Sequence, residues 1–234
     1  MTFSIVARCA ASGQYGVAIS SSSPAVAARC AHARAGVGAA ATQNVTNPAL
    51  GPLMLGHLAA GGDATGAVAA AVAADGHGEH RQLLAVDRHG GTAVHSGSRT
   101  LGAWGAARGR DCAAGGNLLA DAAIPAAMVA AFEASSGPLG NRLLAAMHAA
   151  LALGGEEGPL RSAGMLVVHQ QSWPYVDLRA DWDDGARPIE AIARAWEIYA
   201  PQADQYITRA LRPCDAPPFG VPGDEGRSGP REAE

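Results

Sequence analysis

The sequence predicts a single α+β domain in which antiparallel β-hairpins alternate with pairs of helices. Short runs of β-branched, apolar or small residues occur in pairs around turn residues, and alanine-rich segments with one apolar face also occur in pairs. No GxGxxG turn follows a predicted strand, and the alternating strand–helix order that a parallel sheet requires is absent. Hairpins interrupted by helix pairs are typical of layered α+β folds.

The first part of the chain is predicted to form a hairpin and a third strand. Residues 2–9 are rich in β-branched and apolar side chains, residues 10–14 contain a Ser-Gly turn signal, and residues 15–20 continue with apolar and small residues. The third strand is predicted at residues 36–43, where most side chains are small. Because small side chains let backbones approach, we expect two sheets to pack closely here.

Further along the chain, the pattern predicts five helices, two more hairpins and one single strand. The helices are predicted at residues 52–60, 64–74, 124–134, 139–153 and 188–199. The hairpins are predicted at residues 83–87 with 92–95 and 164–169 with 175–179, and the single strand at residues 112–119. Proline, glycine and charged residues dominate from residue 213 onward. We therefore predict one domain over residues 1–212 and a disordered tail over residues 213–234.

The composition excludes several classes of protein. Hydrophobic residues make up 48% of the chain and charged residues 16%, which excludes a disordered protein. The formal net charge of −4 argues against a nucleic-acid-binding protein, which needs a basic surface to neutralise phosphates. The chain contains no lysine, so neither a Schiff-base mechanism nor a Ser–Lys pair is possible.

The chain is predicted to be cytoplasmic. Its first residues, MTFSIVARC, show no basic segment followed by an apolar run, so we expect no signal peptide. The apolar run at residues 64–74 is shorter than the roughly 20 residues that span a bilayer. The cysteines are far apart and form no CxxC pair, which favours reduced thiols packed as small hydrophobic side chains. They are Cys9, Cys30, Cys112 and Cys214.

Several short segments, in order along the chain, resemble a bacterial family of unknown function that is grouped with Ntn-hydrolase-like (N-terminal-nucleophile) folds. They read MTFSIVAR, GVAISS, ARAGVGAAATQNVTNP, HSGS, GGNLLA and YVDLRAD, and the resemblance extends from Met1 to about Tyr199. It implies a four-layer αββα sandwich of two antiparallel sheets between helix layers. It does not imply a reaction, because fold does not fix function.

Thr2 is the candidate nucleophile. Removal of Met1 would expose a threonine whose hydroxyl attacks a carbonyl and whose own α-amine acts as the base. An α-amine has a pKa of about 7.7–8.0, so a large share is neutral near neutral pH. The resemblance to Ntn-like proteins favours this role. The alternative is that Thr2 only begins a strand, where threonine is common.

Polar residues near the ends of predicted strands are candidates for stabilising an oxyanion or binding substrate. The Asn117 amide follows two glycines, and the Gln43 amide ends an apolar strand, so both are candidate oxyanion donors. Ser21 matches a serine that is usual in the family and is a candidate for positioning substrate. Alternatively, all three polar groups only satisfy the backbone of their own turns.

Three further residues are candidates for substrate binding. Arg34 precedes the third strand and could clamp a carboxylate, or it could pair with Asp177 as a structural ion pair. Thr42 and Asn47 are uncharged polar residues at the end of that strand, and either could contact a substrate carbonyl or cap the loop. His77 and His80 lack the i, i+4 spacing of a zinc-binding helix, so we predict no metal site.

These residues lead to a functional hypothesis with two alternatives. We predict an Ntn-type amidohydrolase that needs no cofactor, forms a homo-oligomer and cleaves a C–N bond of a small polar amide, imide or ureide. We expect no nucleic-acid or membrane partner. One alternative is a non-catalytic protein that binds small molecules on the same fold. The other is a thiol enzyme that uses Cys9, Cys30 or Cys112.

Overall fold

The computed structural model describes residues 1–219, which divide into a compact unit from Met1 to Trp196 and a second unit that begins at Glu197. In chain order, the strands of the described residues are β1 (Thr2–Cys9), β2 (Gln14–Ser21), β3 (Ala31–Arg34), β4 (Gly38–Asn44), β5 (Arg81–Asp87), β6 (Thr92–Ser96), β7 (Gly105–Gly109), β8 (Cys112–Asn117), β9 (Ser162–Val168) and β10 (Val176–Ala180). The helices are α1 (Val26–Cys30), α2 (Leu50–Ala59), α3 (Ala64–Asp75), α4 (Ile124–Ala134), α5 (Leu139–Ala152), α6 (Pro188–Tyr199) and α7 (Ala203–Leu211).

The strands form two antiparallel sheets. A six-stranded sheet has the order β10-β9-β2-β1-β8-β7, and a four-stranded sheet has the order β3-β4-β5-β6. β1 therefore lies in the interior of the larger sheet, paired with β2 on one side and β8 on the other. The predicted α+β class with antiparallel hairpins and helices is confirmed.

The two sheets pack face to face, and helix pairs cover their outer faces. β1 and β8 of the larger sheet contact β4 and β5 of the smaller one. Helices α4 and α5 pack on the outer face of the six-stranded sheet, and α2 and α3 pack on that of the four-stranded sheet. Both faces of the central strands are therefore buried. This burial explains why residues 2–9 read as a continuous apolar run instead of an alternating one.

Alternation along β1 assigns its side chains to two different layers. Val6 packs with Leu84 and Val86 of β5 in the core between the sheets, and the Ser4 hydroxyl donates to the Gln43 side chain of β4. Thr2 has the same parity as these two residues, so its side chain lies on the face that meets the smaller sheet.

Several element boundaries differ from the sequence-based predictions. The third predicted strand begins at Gly38 instead of residue 36, because Gly36 has a φ of +70° and belongs to the turn that follows β3. The strand predicted at residues 112–119 ends at Asn117, since Leu118 has a φ of +51°. Helices α1 and α7 and strands β3 and β7 were not predicted. Of the predicted tail, residues 213–215 form a 3₁₀ turn, and residues 220–234 lie outside the described part.

Within residues 1–219, no helix is both long and apolar enough to cross a membrane.

The second unit contains α7, in whose first half Tyr206 stacks on Tyr199 with ring centroids 5.5 Å apart.

Candidate functional site

Buried polar side chains are concentrated at one end of the layer between the sheets. Thr2 is 6% exposed, and the other five residues of this group are fully buried. The group, which we call the polar end, consists of Thr2, Ser4, Ser21, Gln43, Gln82 and Asn117. Farther along the same layer the facing side chains are apolar. Buried polar groups are retained only where hydrogen bonds or a ligand satisfy them, so the polar end is the candidate site.

Thr2 lies at the start of β1, between the ends of its two neighbouring strands. In the register of the sheet it is directly opposite Asn117 of β8. Its Oγ1 lies 3.3 Å from Ser21 Oγ of β2 and is also hydrogen-bonded to the carbonyl oxygen of Met1. The backbone carbonyl that precedes Thr2 is therefore held against the Thr2 hydroxyl.

A chain of hydrogen bonds fixes the direction in which Ser21 donates. Arg29 Nη2 donates to Ser23 Oγ at 3.1 Å, and Ser23 Oγ lies 2.9 Å from Ser21 Oγ. The backbone N–H of Ser23 also donates to Ser21 Oγ at 3.1 Å. The Met1 carbonyl oxygen, 2.5 Å from Ser21 Oγ, can only accept, so the Ser21 hydroxyl donates to it while accepting the N–H of Ser23. The Ser21 hydroxyl thus donates to a carbonyl oxygen. The Arg29 guanidinium binds Ser23, the hydroxyl next to it in the chain of hydrogen bonds.

Ser20, the residue before Ser21, has a structural role. Its hydroxyl donates to the backbone carbonyl of Ser162 in β9 at 2.9 Å. The Ser162 hydroxyl in turn donates to the carbonyl of Ser23 at 2.6 Å and accepts from the N–H of Val26 at 3.2 Å. These bonds fasten the 22–25 loop to the sheet and keep Ser21 and Ser23 in place.

A buried glutamine connects the two sheets beneath Thr2. Gln82 Nε2 lies within hydrogen-bond distance of three acceptors that share its two N–H groups: the carbonyl oxygens of Gly105 and Gly116, both at 3.2 Å, and Ser96 Oγ at 3.0 Å. Carbonyl oxygens only accept hydrogen bonds, so these contacts fix which end of the Gln82 amide is which. Its Oε1 therefore points toward Gln43 Nε2, 2.7 Å away, and accepts from it.

The same argument orients the Asn117 amide. Asn117 Nδ2 donates to Gln82 Oε1 at 3.3 Å, and a flipped amide would place two acceptors against each other. Asn117 Oδ1 consequently points away from Gln82, and it has no hydrogen-bond partner among the described residues. The unpartnered atom of Asn117 is thus an acceptor, which suits binding of an amine and not donation to an oxyanion. Gln43 accepts from Ser4 and donates to Gln82, so its amide serves the network.

The site also contains Glu156, which the sequence did not single out. Glu156 lies between α5 and β9 and is 5% exposed, whereas the neighbouring Glu157 is exposed. Its Oε2 accepts the N–H of Ser22 at 3.0 Å, and its Oε1 has no partner among residues 1–219. Burial raises the pKa of this carboxyl to about 7, although the positive charge of the Met1 amino group acts in the opposite direction. In the sequence, a Gly-Gly-Glu-Glu-Gly segment has the composition of an exposed loop, which is why Glu156 was missed.

The raised pKa predicts a pH-dependent stability difference for Glu156→Gln. Between its ordinary value of 4.5 and about 7 the folded protein keeps a proton that the unfolded chain releases, so stability falls as pH rises through this window. Glutamine does not titrate, so it makes no such pH-dependent contribution to stability. We expect the variant to gain up to about 3 kcal/mol of unfolding free energy relative to the natural protein between roughly pH 5 and pH 8. Urea unfolding at several pH values measures this. Glu157→Gln is the matched control, and parallel pH curves for Glu156→Gln and the natural protein would refute the expectation.

The structure does not bring the other predicted binding residues to Thr2. Thr42 points to the helix-covered face of its sheet, where its hydroxyl donates to the carbonyl of Asn47 at 3.2 Å. The Asn47 side chain donates to Asp75 at 2.7 Å and accepts from the N–H of Ala49, so it anchors the start of α2 to the end of α3. Both residues therefore contribute to the local structure in this conformation.

Arg34 lies at the far end of β3 from the candidate site. It is exposed and pairs with Gly38, whereas Gln43 is at the other end of β4. Five residues of extended strand separate these positions by roughly 17 Å. No ion pair joins Arg34 to Asp177 among the described residues.

The thiols are not arranged for catalysis beside Thr2. Burial raises the pKa of the Cys112 thiol to about 12 and also raises that of Cys30, so both stay protonated near neutral pH. The pKa of Cys9 is lowered, because hydrogen bonds from Ser12 and Ala11 outweigh the effect of burial. Cys9, however, ends the eight-residue strand that Thr2 begins. Across residues 1–219, no three side chains of His, Cys, Asp or Glu are grouped to hold a metal ion.

Comparison with known proteins places this chain in a family. The family model described as "Family of unknown function (DUF1028)" matches residues 2–192. A crystal structure of a DUF1028 protein from Silicibacter pomeroyi is 32% identical, with a TM-score of 0.78 over 85% of this chain and 86% of that one. Anbu (ancestral beta-subunit) from Yersinia bercovieri is 14% identical with a TM-score of 0.37, covering 87% of this chain and 97% of that one.

The search of curated proteins found no significant match. The family match covers most of the compact unit, and the Silicibacter pomeroyi structure agrees with it. The chain therefore belongs to DUF1028, a family of unknown function.

Proposed function

We propose that this protein is an amidohydrolase of the N-terminal-nucleophile type, in which Thr2 attacks a carbonyl once Met1 has been removed. One observation carries the proposal: the Thr2 hydroxyl lies at the buried polar end of the layer between the sheets, with the preceding carbonyl oxygen bound to it and to Ser21. A carbonyl held by a hydroxyl donor beside a second hydroxyl is the arrangement that acyl transfer requires.

The architecture supports the proposal. Two antiparallel sheets lie between two helix pairs, and the first strand of the chain is in the interior of the larger sheet. This arrangement fits the four-layer Ntn-like sandwich that the resemblance implies. In this arrangement the first residues of β1 lie beside the layer between the two sheets. Both sheets shield a small substrate there from water.

In the proposed mechanism, removal of Met1 converts the peptide nitrogen of Thr2 into an α-amine. An α-amine ordinarily has a pKa of about 7.7–8.0, so such a group can accept the hydroxyl proton near neutral pH. The unpartnered Asn117 Oδ1, across the strand pair, is available to accept an N–H of that amine and orient it. Because the Met1 carbonyl leaves with Met1, the Ser21 hydroxyl becomes free to donate to the substrate carbonyl.

The reaction then has two stages. Thr2 Oγ1 bonds to the carbonyl carbon, and Ser21 stabilises the oxyanion that forms. The C–N bond breaks, the leaving nitrogen takes the proton held by the α-amine, and an ester remains on Thr2. Water, deprotonated by the same amine, hydrolyses the ester and restores the hydroxyl.

Ser21→Ala tests the oxyanion role. Removing one donor of this kind lowers kcat by roughly a hundredfold to a thousandfold. We expect a loss of that size with little change in KM, measured by amine release on a small amide found by screening. Ser172→Ala is a suitable control, because Ser172 is exposed in the turn between β9 and β10, at the opposite end of β9 from Ser162 and the site. Equal kcat values for Ser21→Ala and the natural protein would remove Ser21 from the mechanism.

A further inference from the structure

Met1 occupies the place that the acyl part of a substrate would take under the proposed function. Its carbonyl oxygen accepts from Ser21 at 2.5 Å and contacts the Thr2 hydroxyl. Its side chain lies beside Gly158, where a methyl group built on the glycine would be 3.3 Å from Met1 Cε. Once Met1 is removed, this volume is free. A ligand that fills it contacts the hydroxyls of Ser21 and Thr2 and lies beside Gly158.

Glu156 lies near this volume, because it is bonded to the residue that follows Ser21, and Ser21 is bonded to the Met1 carbonyl. Its Oε2 is fixed by the N–H of Ser22, the residue next to Ser21, while Oε1 has no partner in the described part of the chain. The residue as a whole is only 5% exposed, and Oε1 itself is buried. A buried carboxylate with an unfilled acceptor is destabilising unless a cationic or N–H-bearing group binds to it.

The amino group of Met1 shows which chemical group suits this carboxylate. Its positive charge is close enough to oppose the effect of burial on the pKa of Glu156, so the two attract. Among residues 1–219 no ion pair within 4 Å joins the two groups and Glu156 Oε1 stays unpartnered, while Ser21 holds the Met1 carbonyl, whose carbon is two bonds from the amino nitrogen. An α-amino acyl group has the same spacing between ammonium and carbonyl.

We propose that the substrates are amides of α-amino acids with a free ammonium group, which Glu156 binds while Ser21 holds the carbonyl. This inference rests on the proposed function and assigns its substrate class. Attack by Thr2 Oγ1 forms an aminoacyl ester and releases the amine or ammonia, which takes up one proton. Water then cleaves the ester to give the free amino acid, so the net reaction consumes one amide and one water.

A matched pair of substrates tests the proposal: methioninamide and N-acetylmethioninamide, which differ in the charge of the amino group. The natural protein, with Met1 removed, should give a kcat/KM at least about a hundredfold higher for methioninamide, since a buried charge pair of this kind is worth a few kcal/mol. Glu156→Gln should reduce this ratio to within about threefold of one, whereas Glu157→Gln, at an exposed position, should keep it. Circular dichroism checks that each variant is folded.

Three results would overturn the inference. One is equal or faster hydrolysis of the acetylated amide, and another is an unchanged ratio in Glu156→Gln. The third is hydrolysis of other small amides while methioninamide is inert, which rejects the substrate class and leaves the proposed function standing. If no amide is hydrolysed and Thr2 cannot be acylated, the proposed function fails together with the inference.

Discussion

Replacing Thr2 by alanine should lower amide hydrolysis by at least about a thousandfold, because the variant lacks the attacking oxygen. Thr2→Ser keeps a hydroxyl at the same position and should retain a substantial fraction of the activity. Alanine, serine and threonine are all small, so removal of Met1 is expected in each case and the three proteins differ only in the side chain. The measurement is kcat/KM on the best amide substrate for each protein.

The Thr2 result is interpretable only if the variants fold alike. With Met1 removed, Thr2→Ala loses only the contact of the Thr2 hydroxyl with Ser21 at the edge of the polar end, so we expect a loss of stability of only about 1 kcal/mol. Thermal unfolding checks this. Full activity in a well-folded Thr2→Ala protein would exclude Thr2 as the nucleophile.

Replacing Gln82 by alanine should destabilise the protein by about 3–5 kcal/mol. The glutamine is fully buried and donates to the carbonyls of Gly105 and Gly116, and its oxygen accepts from Gln43 and Asn117. Its removal takes one buried hydrogen-bond partner from each of these four groups and opens a cavity between the sheets. Urea unfolding measures the change in unfolding free energy.

Gln170→Ala is the matched control for this prediction. Gln170 is exposed, so the same substitution there should change the unfolding free energy by no more than about 0.5 kcal/mol. A change of less than about 1 kcal/mol for Gln82→Ala would show that the network does not hold the two sheets together. Such a result would also remove the argument that orients the Asn117 amide.

The fold could be predicted where the pattern along the chain reflects burial. Helices α4 and α6 have the bounds that their apolar periodicity predicts, since one face of each is buried. Strand β7, with the sequence GAARG at the edge of the sheet, contains neither β-branched residues nor a buried run, so no pattern reveals it. Helix α1 has five residues and begins after Ala25, which adopts a φ of +52°, so tertiary packing decides its position.

The site could be predicted only in part, because sequence shows where strands end but not always which face a residue occupies. Thr2, Ser21 and Asn117 lie together since they are at the ends of adjacent strands of one sheet. Thr42 precedes Gln43, and this difference of one position puts their side chains on opposite faces of β4. Glu156 comes from a connection whose path depends on how α5 and β9 are placed, which local sequence does not encode.

The central claim, that Thr2 is an N-terminal nucleophile, is tested most directly by intact-protein mass spectrometry with fragmentation after treatment with a β-lactone, which acylates nucleophilic hydroxyls. The protein should be expressed from its complete gene, so that its natural N-terminus is observed. The account predicts that the chain begins at Thr2 and carries one acyl group on that residue, and that Thr2→Ala takes up none. A chain that retains Met1, or an adduct only on another residue such as Cys9, would contradict it.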